Sequence, residues 1–388
     1  MNGLSVVIFI PDDTAKTGFA QPTLLRPVLG APMLAWLAGA LSENGVGRFF
    51  LVCHDRFSDA ARACISEYSE LMTTADNNPA DLLHVFLSTA DEEEQEISVI
   101  AGPAVYTPLL TRRSGTPKPA CVFRANRELL MDALDETFSF SAFLRDNCST
   151  LSDYDGYCSV ESPAALLSLT HLLRHQRVLG LEKQGVEITD ADNCYIAPSV
   201  RVETGAQLLP GAILRGNTVI RSEAVIGPWS VVEDSEIGAG AQVYASMVFG
   251  TRVGANATVG PYAHLRPGTV LKKGAKAGNF VEIKNSTLGE NTWVSHLSYV
   301  GDAEIGARCN LGCGAVTVNF DRKEKHPTKI GDDAFIGCNT SLVAPVTVGN
   351  GAYVAAGSVI TEPVPDNALA IGRSHQTNKR DWAQKHKK

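Results

Sequence analysis

Residues 265–283 read LRPGTVLKKGAKAGNFVEI, and they decide the fold because an apolar residue returns at every sixth position. This phase is kept without a break by Leu265, Leu271, Ala277 and Ile283. Six residues is too long for a helical stripe and too regular for ordinary strand alternation, so the period indicates short strands separated by turns. The same period extends from Ile196 to Ile360, and it predicts a parallel β-solenoid of three strands per coil.

Composition narrows the class of protein. The chain has 388 residues, 44% of them hydrophobic, and a net charge of -8, which favours two or three globular domains and argues against a nucleic-acid partner. The opening MNGLSVVIFIPDD has neither a basic leader nor a membrane-length apolar run, so we expect a cytoplasmic protein without membrane insertion. Nine cysteines without a CxxC motif predict free thiols and no bound metal.

The first half of the chain alternates apolar runs with helical patterns. The predicted strands are VVIFI (6–10), RFFLVC (48–53), HVFLS (84–88) and SVIAG (98–102). With helices predicted over Met33–Asn44 and Ser58–Ser69, this order is typical of an α/β domain with a mainly parallel, Rossmann-like sheet. Helical spacing over Ala164–Gly185 predicts a linker helix. The expected domains are 1–162, the linker 163–185, the solenoid 186–373 and a tail 374–388.

Two cations are predicted to stack on the solenoid. Arg266 and Lys284 each follow an inward aliphatic residue and lie one coil apart, so their backbones should be about 4.8 Å apart. Cations held this close repel each other unless an anion lies between them, and phosphate suits an Arg–Lys pair. Two solvated side chains leaning apart remain the alternative.

A histidine provides the candidate base. His296 lies in WVSHLSY, and a neutral imidazole is suited to taking a proton near pH 7. Glu282 is a candidate to orient it through the coil. A histidine in a sheet is more often structural, but polar side chains typical of ligand sites lie within the same coils. These neighbours are Arg266, Lys284, Tyr299, Asn310 and Asn319.

The repeat pattern breaks between Leu311 and Ile330, where TVNFDRKEKHPTK replaces clean hexapeptides. This charged stretch predicts a loop extruded from the solenoid, and loops on rigid scaffolds often carry ligand contacts. Lys325 is therefore a candidate cation for an anionic substrate, although a solvated loop also accounts for its lysines.

Several motifs together resemble a known bacterial family. They are GPYAHLRPGTVLKKGAKAGNFVEIKNSTLG, HLSYVGDAEIG, CNLGCGAVTVNFD, IGDDAFIGCNTSLVAPVTVG and AIGRSHQ. They resemble the acetyltransferase half of the bifunctional glucosamine-1-phosphate N-acetyltransferase and N-acetylglucosamine-1-phosphate uridyltransferase family, over roughly Gly185–Arg373. The resemblance implies that the parallel β-helix is left-handed. It also implies a homotrimer with sites between neighbouring solenoids, and acetyl-CoA as the acyl donor.

The resemblance also implies roles for single residues. It makes His296 the general base, and it assigns the amino-sugar phosphate to Arg266, Lys284, Tyr299, Asn310 and Lys325. The coenzyme A contacts that it implies are Asn319, Phe320, Cys338, Ala356 and Arg373. This chain departs from the usual pattern with Phe320 in place of Tyr, Cys338 in place of Ser, and His264 in place of Arg.

The N-terminal half resembles the family's nucleotidyltransferase domain only in part. PTLLRPVLGAPML still aligns, but the glycine positions of the nucleotide loop hold Pro11, Asp12 and Asp13, and Thr23 replaces the phosphate-facing Lys. Proline removes a backbone donor and two aspartates add negative charge, so both changes oppose phosphate binding. The metal-binding positions of the family correspond to Pro103 and, in a loose alignment, Glu161. We therefore expect a degenerate nucleotidyltransferase-like domain whose Mg²⁺ site is lost.

These observations predict acetyl transfer from acetyl-CoA to glucosamine 1-phosphate, which supplies N-acetylglucosamine 1-phosphate for UDP-N-acetylglucosamine and cell-wall precursors. One alternative is an enzyme that is still bifunctional. A second is a non-catalytic trimeric scaffold, and a third keeps acetyl transfer but uses another phosphorylated amino sugar.

Overall fold

The protein is described by a computed structural model that covers residues 4–65, 70–74, 80–91, 93–106, 121–134, 146, 148–150, 157–160 and 163–387. The chain divides into two compact units. One comprises Met1–Leu181 and Tyr195–Ser199, and the other comprises Glu182–Cys194 and Val200–Lys388.

The first unit contains a six-stranded sheet. Its strands, β1 to β6 in chain order, are Leu4–Ile10, Val46–Cys53, Glu70–Thr74, Glu96–Ile100, Val122–Asn126 and Ser149–Thr150. Their order across the sheet is β3-β2-β1-β4-β5-β6. The pairs among β1 to β4 are parallel, whereas β5 and β6 join antiparallel. The predicted α/β class with a mainly parallel sheet is confirmed.

Helices and short strands complete this part of the chain. The helices are Thr14–Thr17, Met33–Glu43, Ser58–Ala63, Ala80–Ser88, Arg127–Leu134 and Pro163–Lys183, with 3-10 turns at Thr23–Leu25 and Asp55–Phe57. Two small ladders join Pro27–Val28 to Ala31–Pro32 and Ala104–Tyr106 to Tyr157–Ser159. One core cluster packs β1 and β2 against helix Met33–Glu43, and its members include Val6, Ile8, Leu34, Leu37 and Phe49.

One predicted strand is wrong. Residues 84–88, HVFLS, lie in the helix Ala80–Ser88. Leu83, Phe86 and Leu87 are almost fully buried, while Leu82 and Val85 are 40% and 50% exposed. Burial at positions separated by three and four residues is the helical period, so the apolar run forms one face of a helix and not a strand.

The second unit is a solenoid with three parallel sheets, here called faces 1, 2 and 3. Face 1 has the strands Glu187–Ile188, Gln207–Leu208, Val225–Ile226, Gln242–Val243, Thr258–Val259, Lys276–Asn279, Trp293–His296, Asn310–Leu311, Phe335–Ile336, Tyr353–Val354 and Leu369–Ala370. Face 2 includes Ile213–Arg215, Val231–Glu233, Met247–Phe249, His264–Leu265, Glu282–Lys284, Tyr299–Gly301, Val316–Val318, Ser341–Val343 and Val359–Ile360. Face 3 has Arg201–Val202, Val219–Ile220, Glu236–Ile237, Arg252–Val253, Val270–Leu271, Thr287–Leu288, Ala303–Ile305, Thr328–Ile330 and Val346–Val348. Further short elements are Tyr195–Ile196, Ala191–Asn193 and Trp382–Lys385.

The inward aliphatic residues of successive coils pair with one another. Leu265 pairs with Ile283 and Ile283 with Val300, and all three side chains are fully buried. This arrangement confirms the hexapeptide β-helix that the period predicts, with the left hand that the family resemblance implies. One consequence is that residues next to these aliphatics form outward columns with one member per coil.

The predicted extruded loop is present at residues 319–327, between the strands Val316–Val318 and Thr328–Ile330. Within it, Phe320 and Lys325 form an isolated antiparallel bridge, and the His326 amide donates to the Asn319 carbonyl at 2.8 Å. The Asp321 carboxylate accepts from the Lys323 and Glu324 amides and from His326, all at 2.8 Å. These bonds give the loop a defined course back to the solenoid.

Candidate active site on the solenoid

The two cations predicted to stack do so on face 2. Leu265 pairs with Ile283, and the Arg266 amide donates to the Ile283 carbonyl at 2.8 Å, so Arg266 and Lys284 occupy equivalent positions on consecutive coils. Neighbouring parallel strands are about 4.8 Å apart, and these two side chains leave their strands in the same direction. Positive charge is therefore concentrated at this point of the face.

A third cation from the extruded loop joins them. The pKa of the Lys284 ammonium is lowered first by Lys325, whose side chain lies within hydrogen-bonding reach and whose charge repels it. Desolvation and the charge of Arg266 lower it further, whereas Asp302 acts in the opposite direction. Lys325 thus approaches Lys284, as the phosphate hypothesis expects.

A glycine makes room beside these cations. Gly301 pairs with Lys284 in the ladder, and a Cβ at Gly301 would lie 2.4 Å from the Tyr299 hydroxyl and 2.7 Å from Asn319 Nδ2. A side chain at this position would displace the ends of the Tyr299 and Asn319 side chains, which lie over Gly301 in the present arrangement. Two hydrogen-bonding groups are thereby placed next to Lys284.

Asp302 fixes this arrangement. Its carboxylate accepts from Asn285 Nδ2 at 2.7 Å and from Asn319 Nδ2 at 2.5 Å. Its backbone amide donates to the Lys284 carbonyl at 3.1 Å, and its own carbonyl accepts from the Thr328 amide at 3.1 Å. Because both carboxylate oxygens hold asparagine side chains, Asp302 positions Asn319 as well as placing partial counter-charge near Lys284.

Glu282 pairs with the cation column. Its Oε1 accepts from Arg266 Nη1 at 2.8 Å, and both side chains are about 40% exposed. Glu282 lies on face 2, whereas His296 ends a strand of face 1. The orienting role of Glu282 towards His296 stays a prediction, and the observed contact gives Glu282 a different partner.

The candidate base and most candidate coenzyme contacts share one corner, between faces 1 and 2. Val294, Leu311, Ile336 and Val354 are paired inward residues on successive coils of face 1. The residues two positions after them form what we call the corner column: His296, Cys313, Cys338 and Ala356. At its end, Arg373 Nε donates to the Ala356 carbonyl at 2.9 Å. The register places His296, Cys338 and Ala356 in line, and a hydrogen bond holds Arg373 at the end of the column.

Cys313 is the member of this column that the sequence analysis missed. It lies between His296 and Cys338, and the Asn339 amide donates to its carbonyl at 2.8 Å. The available signal was its position two residues after the inward Leu311, which matches His296 after Val294.

Three further candidates lie apart from the two clusters or at their edge. Asn310 is on face 1, paired with Trp293 and Phe335, and the ladder does not bring it beside Lys284. Phe320 is 56% exposed in the extruded loop, paired with Lys325. Asn319, predicted as a coenzyme contact, is instead bonded to Asp302 beside Tyr299. Its role towards coenzyme A stays a prediction.

In the first unit, the altered nucleotide loop is bonded to itself. The Asp13 carboxylate accepts from the Thr23 amide at 2.9 Å and from the Thr23 hydroxyl at 2.5 Å. The Asp12 carboxylate accepts from Thr14 and forms an ion pair with Arg56, and these contacts, the Thr14 hydrogen bond foremost, lower the Asp12 pKa. Two of the positions where the resemblance places glycine therefore hold carboxylates with partners of their own, and Thr23, at the lysine position, is one of these partners.

The family's metal positions carry no ligand pair among the described residues. Pro103 contributes only its backbone, whose carbonyl accepts from the Val160 amide at 2.8 Å, and Glu161 lies outside the described residues. In the part of the chain that the structure describes, no three His, Cys, Asp or Glu side chains are grouped to hold a metal ion. None of the described helices combines the length and apolar character of a membrane span.

Replacing Lys325 tests the cation cluster. We expect the pKa of Lys284 to rise in the Lys325→Ala variant, because the largest cause of its lowering is removed. Lysine Cε chemical shifts followed against pH measure this directly. Lys323→Ala is the matched control, since Lys323 is an exposed lysine of the same loop and is not a cause of the Lys284 shift. Equal Lys284 titration in both variants would contradict the convergence of the two side chains.

Comparison with known proteins adds independent evidence. A family model described as bacterial transferase hexapeptide (six repeats) matches residues 327–362. The bifunctional protein GlmU of Geobacillus sp. (strain WCH70) is 44% identical over 244 residues, which are 62% of this chain and 53% of that protein, so the chain spans about half of its length. A solved UDP-N-acetylglucosamine acyltransferase from Francisella novicida is 16% identical, with a TM-score of 0.29, over 48% of this chain and 66% of that chain.

A longer match includes both halves of the chain. The bifunctional protein GlmU of Thermoanaerobacter pseudethanolicus (strain ATCC 33223 / 39E) is 44% identical over 450 aligned positions, covering 99% of this chain and 98% of that protein. The alignment is longer than the 388 residues of this chain, so the relative contains segments that this chain lacks. With its hexapeptide solenoid and an α/β unit that aligns throughout, this chain belongs to the family of the bifunctional protein GlmU.

Proposed function

We propose that this protein transfers acetyl from acetyl-CoA to the amine of glucosamine 1-phosphate. The observation that carries the proposal is the meeting of Arg266, Lys284 and Lys325 on face 2, whose strand Tyr299–Gly301 follows the strand that ends with His296. Three cations, of which Arg266 is paired with Glu282, suit a phosphate group, and Tyr299 and Asn319 supply hydrogen bonds beside it. Membership in a family of bifunctional GlmU proteins supports the same reaction.

The chemistry follows from the position of His296. With the sugar phosphate held on face 2, its amine points towards the corner, where His296 takes a proton as the nitrogen attacks the thioester carbonyl. The C–N bond forms, the C–S bond breaks, and the proton passes from His296 to the departing thiolate. The side chain of His296 is exposed, which leaves the imidazole accessible to both substrates. Cys313, Cys338, Ala356 and Arg373 extend from it in the direction in which coenzyme A would lie.

We further propose that nucleotidyl transfer is lost. The carboxylates of Asp12 and Asp13 occupy the loop that would face the nucleotide phosphates, and Thr23 is bonded to Asp13 in place of a lysine that would bind them. Like charges of loop and nucleotide repel, and Pro103, at one metal position of the family, has no side-chain ligand for Mg²⁺. A still-bifunctional enzyme remains the second candidate, because the match to a bifunctional relative covers 99% of this chain.

A homotrimer is proposed from an exposed apolar ridge at the corner between faces 1 and 2. Its members are Trp229, Tyr262, Phe280 and Leu297, which are 59–70% exposed. All four have φ between 45° and 61°, a left-handed conformation that glycine and asparagine adopt more readily than bulky residues. Tyr262 and Phe280 stack at 5.3 Å. Large apolar side chains held in unfavourable backbone positions on a surface indicate a contact, here with further copies of this chain.

Acetyl transfer is tested with His296→Ala. We expect release of free thiol from acetyl-CoA plus glucosamine 1-phosphate in the wild type, and a fall of about 10²- to 10⁴-fold in the variant because general-base assistance is removed. His171→Ala, which alters an exposed histidine of the helix Pro163–Lys183, is the control and should keep wild-type rates. Glucosamine 6-phosphate in a parallel assay tests the acceptor. If the wild-type protein releases no thiol with either sugar phosphate, the result would contradict acetyl transfer and favour the non-catalytic scaffold.

Loss of nucleotidyl transfer is tested with UTP, Mg²⁺ and N-acetylglucosamine 1-phosphate. No pyrophosphate is expected from this chain, because its loop opposes phosphate binding. The Thermoanaerobacter pseudethanolicus relative serves as positive control in the same coupled phosphate assay. Pyrophosphate formation by this chain at a comparable rate would establish the bifunctional alternative.

The apolar ridge is tested with Phe280→Asp. An aspartate is well tolerated at the φ of 55° found here, so the variant should fold, but a carboxylate cannot be buried between copies without a partner. We expect sedimentation velocity to show smaller species for this variant than for the wild type. Tyr353→Asp is the control, since Tyr353 is a 48% exposed aromatic on face 1 outside the ridge. If Phe280→Asp sediments like the wild type, the ridge is not the contact.

A further inference from the structure

Two cysteines occupy equivalent positions on consecutive coils. Cys313 follows the inward Leu311 by two residues, and Cys338 follows the inward Ile336 by two, while Leu311 and Ile336 are paired. The ladder holds them on both sides: the Gly312 amide donates to the Ile336 carbonyl and the Asn339 amide to the Cys313 carbonyl, each at 2.8 Å. The two cysteines therefore occupy neighbouring backbone positions on adjacent coils.

The neighbouring glycines show how close the two backbones are. A Cβ at Gly312 would lie 2.9 Å from Cys338 Cα, and a Cβ at Gly314 would lie 3.6 Å from Asn339 Cα. The segments on either side of Cys313 are thus in contact with the segments on either side of Cys338. A coil step of about 4.8 Å lies inside the range of about 4.4–6.8 Å that Cα atoms of a disulfide span.

We propose that Cys313 and Cys338 are a modification site, a thiol pair that a peroxide converts reversibly into a disulfide linking two coils. Cys338 is exposed and Cys313 half-buried, so the peroxide meets Cys338 first. The Cys338 thiolate attacks one peroxide oxygen and the O–O bond breaks. Hydroxide departs, and Cys338 becomes a sulfenic acid. The Cys313 thiolate then displaces hydroxide from that sulfur as the S–S bond forms. Hydrogen peroxide is thereby reduced to water, and a thiol reductant reverses the change.

Other cysteines are poorer targets for the same oxidant. Burial raises the pKa of the Cys53, Cys148 and Cys309 thiols, and it raises that of Cys64 to about 11. A higher pKa leaves less of the reactive thiolate at neutral pH. Cys309, close in sequence to Cys313, is buried, and its Sγ–H also donates to the Gly331 carbonyl at 2.9 Å. It is therefore a matched control for Cys313.

The disulfide lies within the corner column, between His296 and Ala356. This step rests on the proposed function, in which acetyl-CoA lies along the corner column. A disulfide between Cys313 and Cys338 would then lie where the acyl chain passes next to the base. The oxidised protein should then lose acetyl transfer while its fold persists, because the bridge joins residues that are already adjacent. The pair would act as a peroxide-sensitive switch on the reaction.

Peptide mapping of the full-length protein tests the disulfide without any assay of activity. Trypsin cuts between the two cysteines at Arg322, Lys323, Lys325 and Lys329, so a disulfide joins two otherwise separate peptides. After hydrogen peroxide, we expect the linked pair, two hydrogen atoms lighter than the separate peptides, and its loss on adding dithiothreitol. The linkage should disappear in Cys313→Ser and in Cys338→Ser but persist in Cys309→Ser. Sulfinic acid at Cys338 without linkage, or linkage that survives Cys313→Ser, would overturn the proposal.

Activity is then measured on the same samples. In the wild type and in Cys309→Ser, the lost fraction of acetyl transfer should follow the linked fraction and return with dithiothreitol. Linkage with unchanged activity would overturn the switch while leaving the modification site in place. A wild type that links its cysteines but never transfers acetyl, even when reduced, would instead refute the proposed function, so the two failures are distinguishable.

Discussion

The parallel ladder between coils is the constraint on which the rest of the solenoid depends. Each inward aliphatic residue pairs with its counterpart one coil later, as Leu265 pairs with Ile283 and Ile283 with Val300. A slip of one residue would turn the buried set outward, so burial fixes the register and the register fixes every outward column. Chemistry on this scaffold is therefore spaced in steps of about 4.8 Å along a column, which is a separation suited to groups that share one small ligand.

Such fixed spacing has an electrostatic consequence. Arg266 and Lys284 cannot move their backbones apart, and the loop adds Lys325 next to them, so repulsion is built in and is expressed in the lowered pKa of Lys284. Asp302 offsets it only in part, because both of its carboxylate oxygens already hold asparagines. An anion that binds here is attracted by the positive charges and reduces the repulsion between them. The scaffold thus stores, in the free protein, interaction energy that a phosphate can recover.

The position of a site residue can be predicted from the sequence only where the six-residue period determines it. The adjacency of Arg266 and Lys284 was predictable, since both are counted from inward residues of one unbroken phase. The convergence of Lys325 was only a hypothesis, because it depends on how the loop folds back, which the bonds to Asp321 determine. The place of Asn319 was not predictable, since it requires the space over Gly301 and the bond to Asp302. The helix at Ala80–Ser88 was missed because a short apolar run does not distinguish strand from helix unless the burial of its faces is known.

In the first unit, the loop that the resemblance aligns with the family's nucleotide loop is held by its own side chains. If only the glycine were replaced by Asp13, the carboxylate would lie next to the lysine that the family has in this loop. If only that lysine were replaced, the glycine loop would lack its cation. In this chain both changes occur together, and Asp13 accepts from both the amide and the hydroxyl of Thr23. A glycine-rich loop leaves its amides in need of an anion, whereas this loop satisfies its own donors.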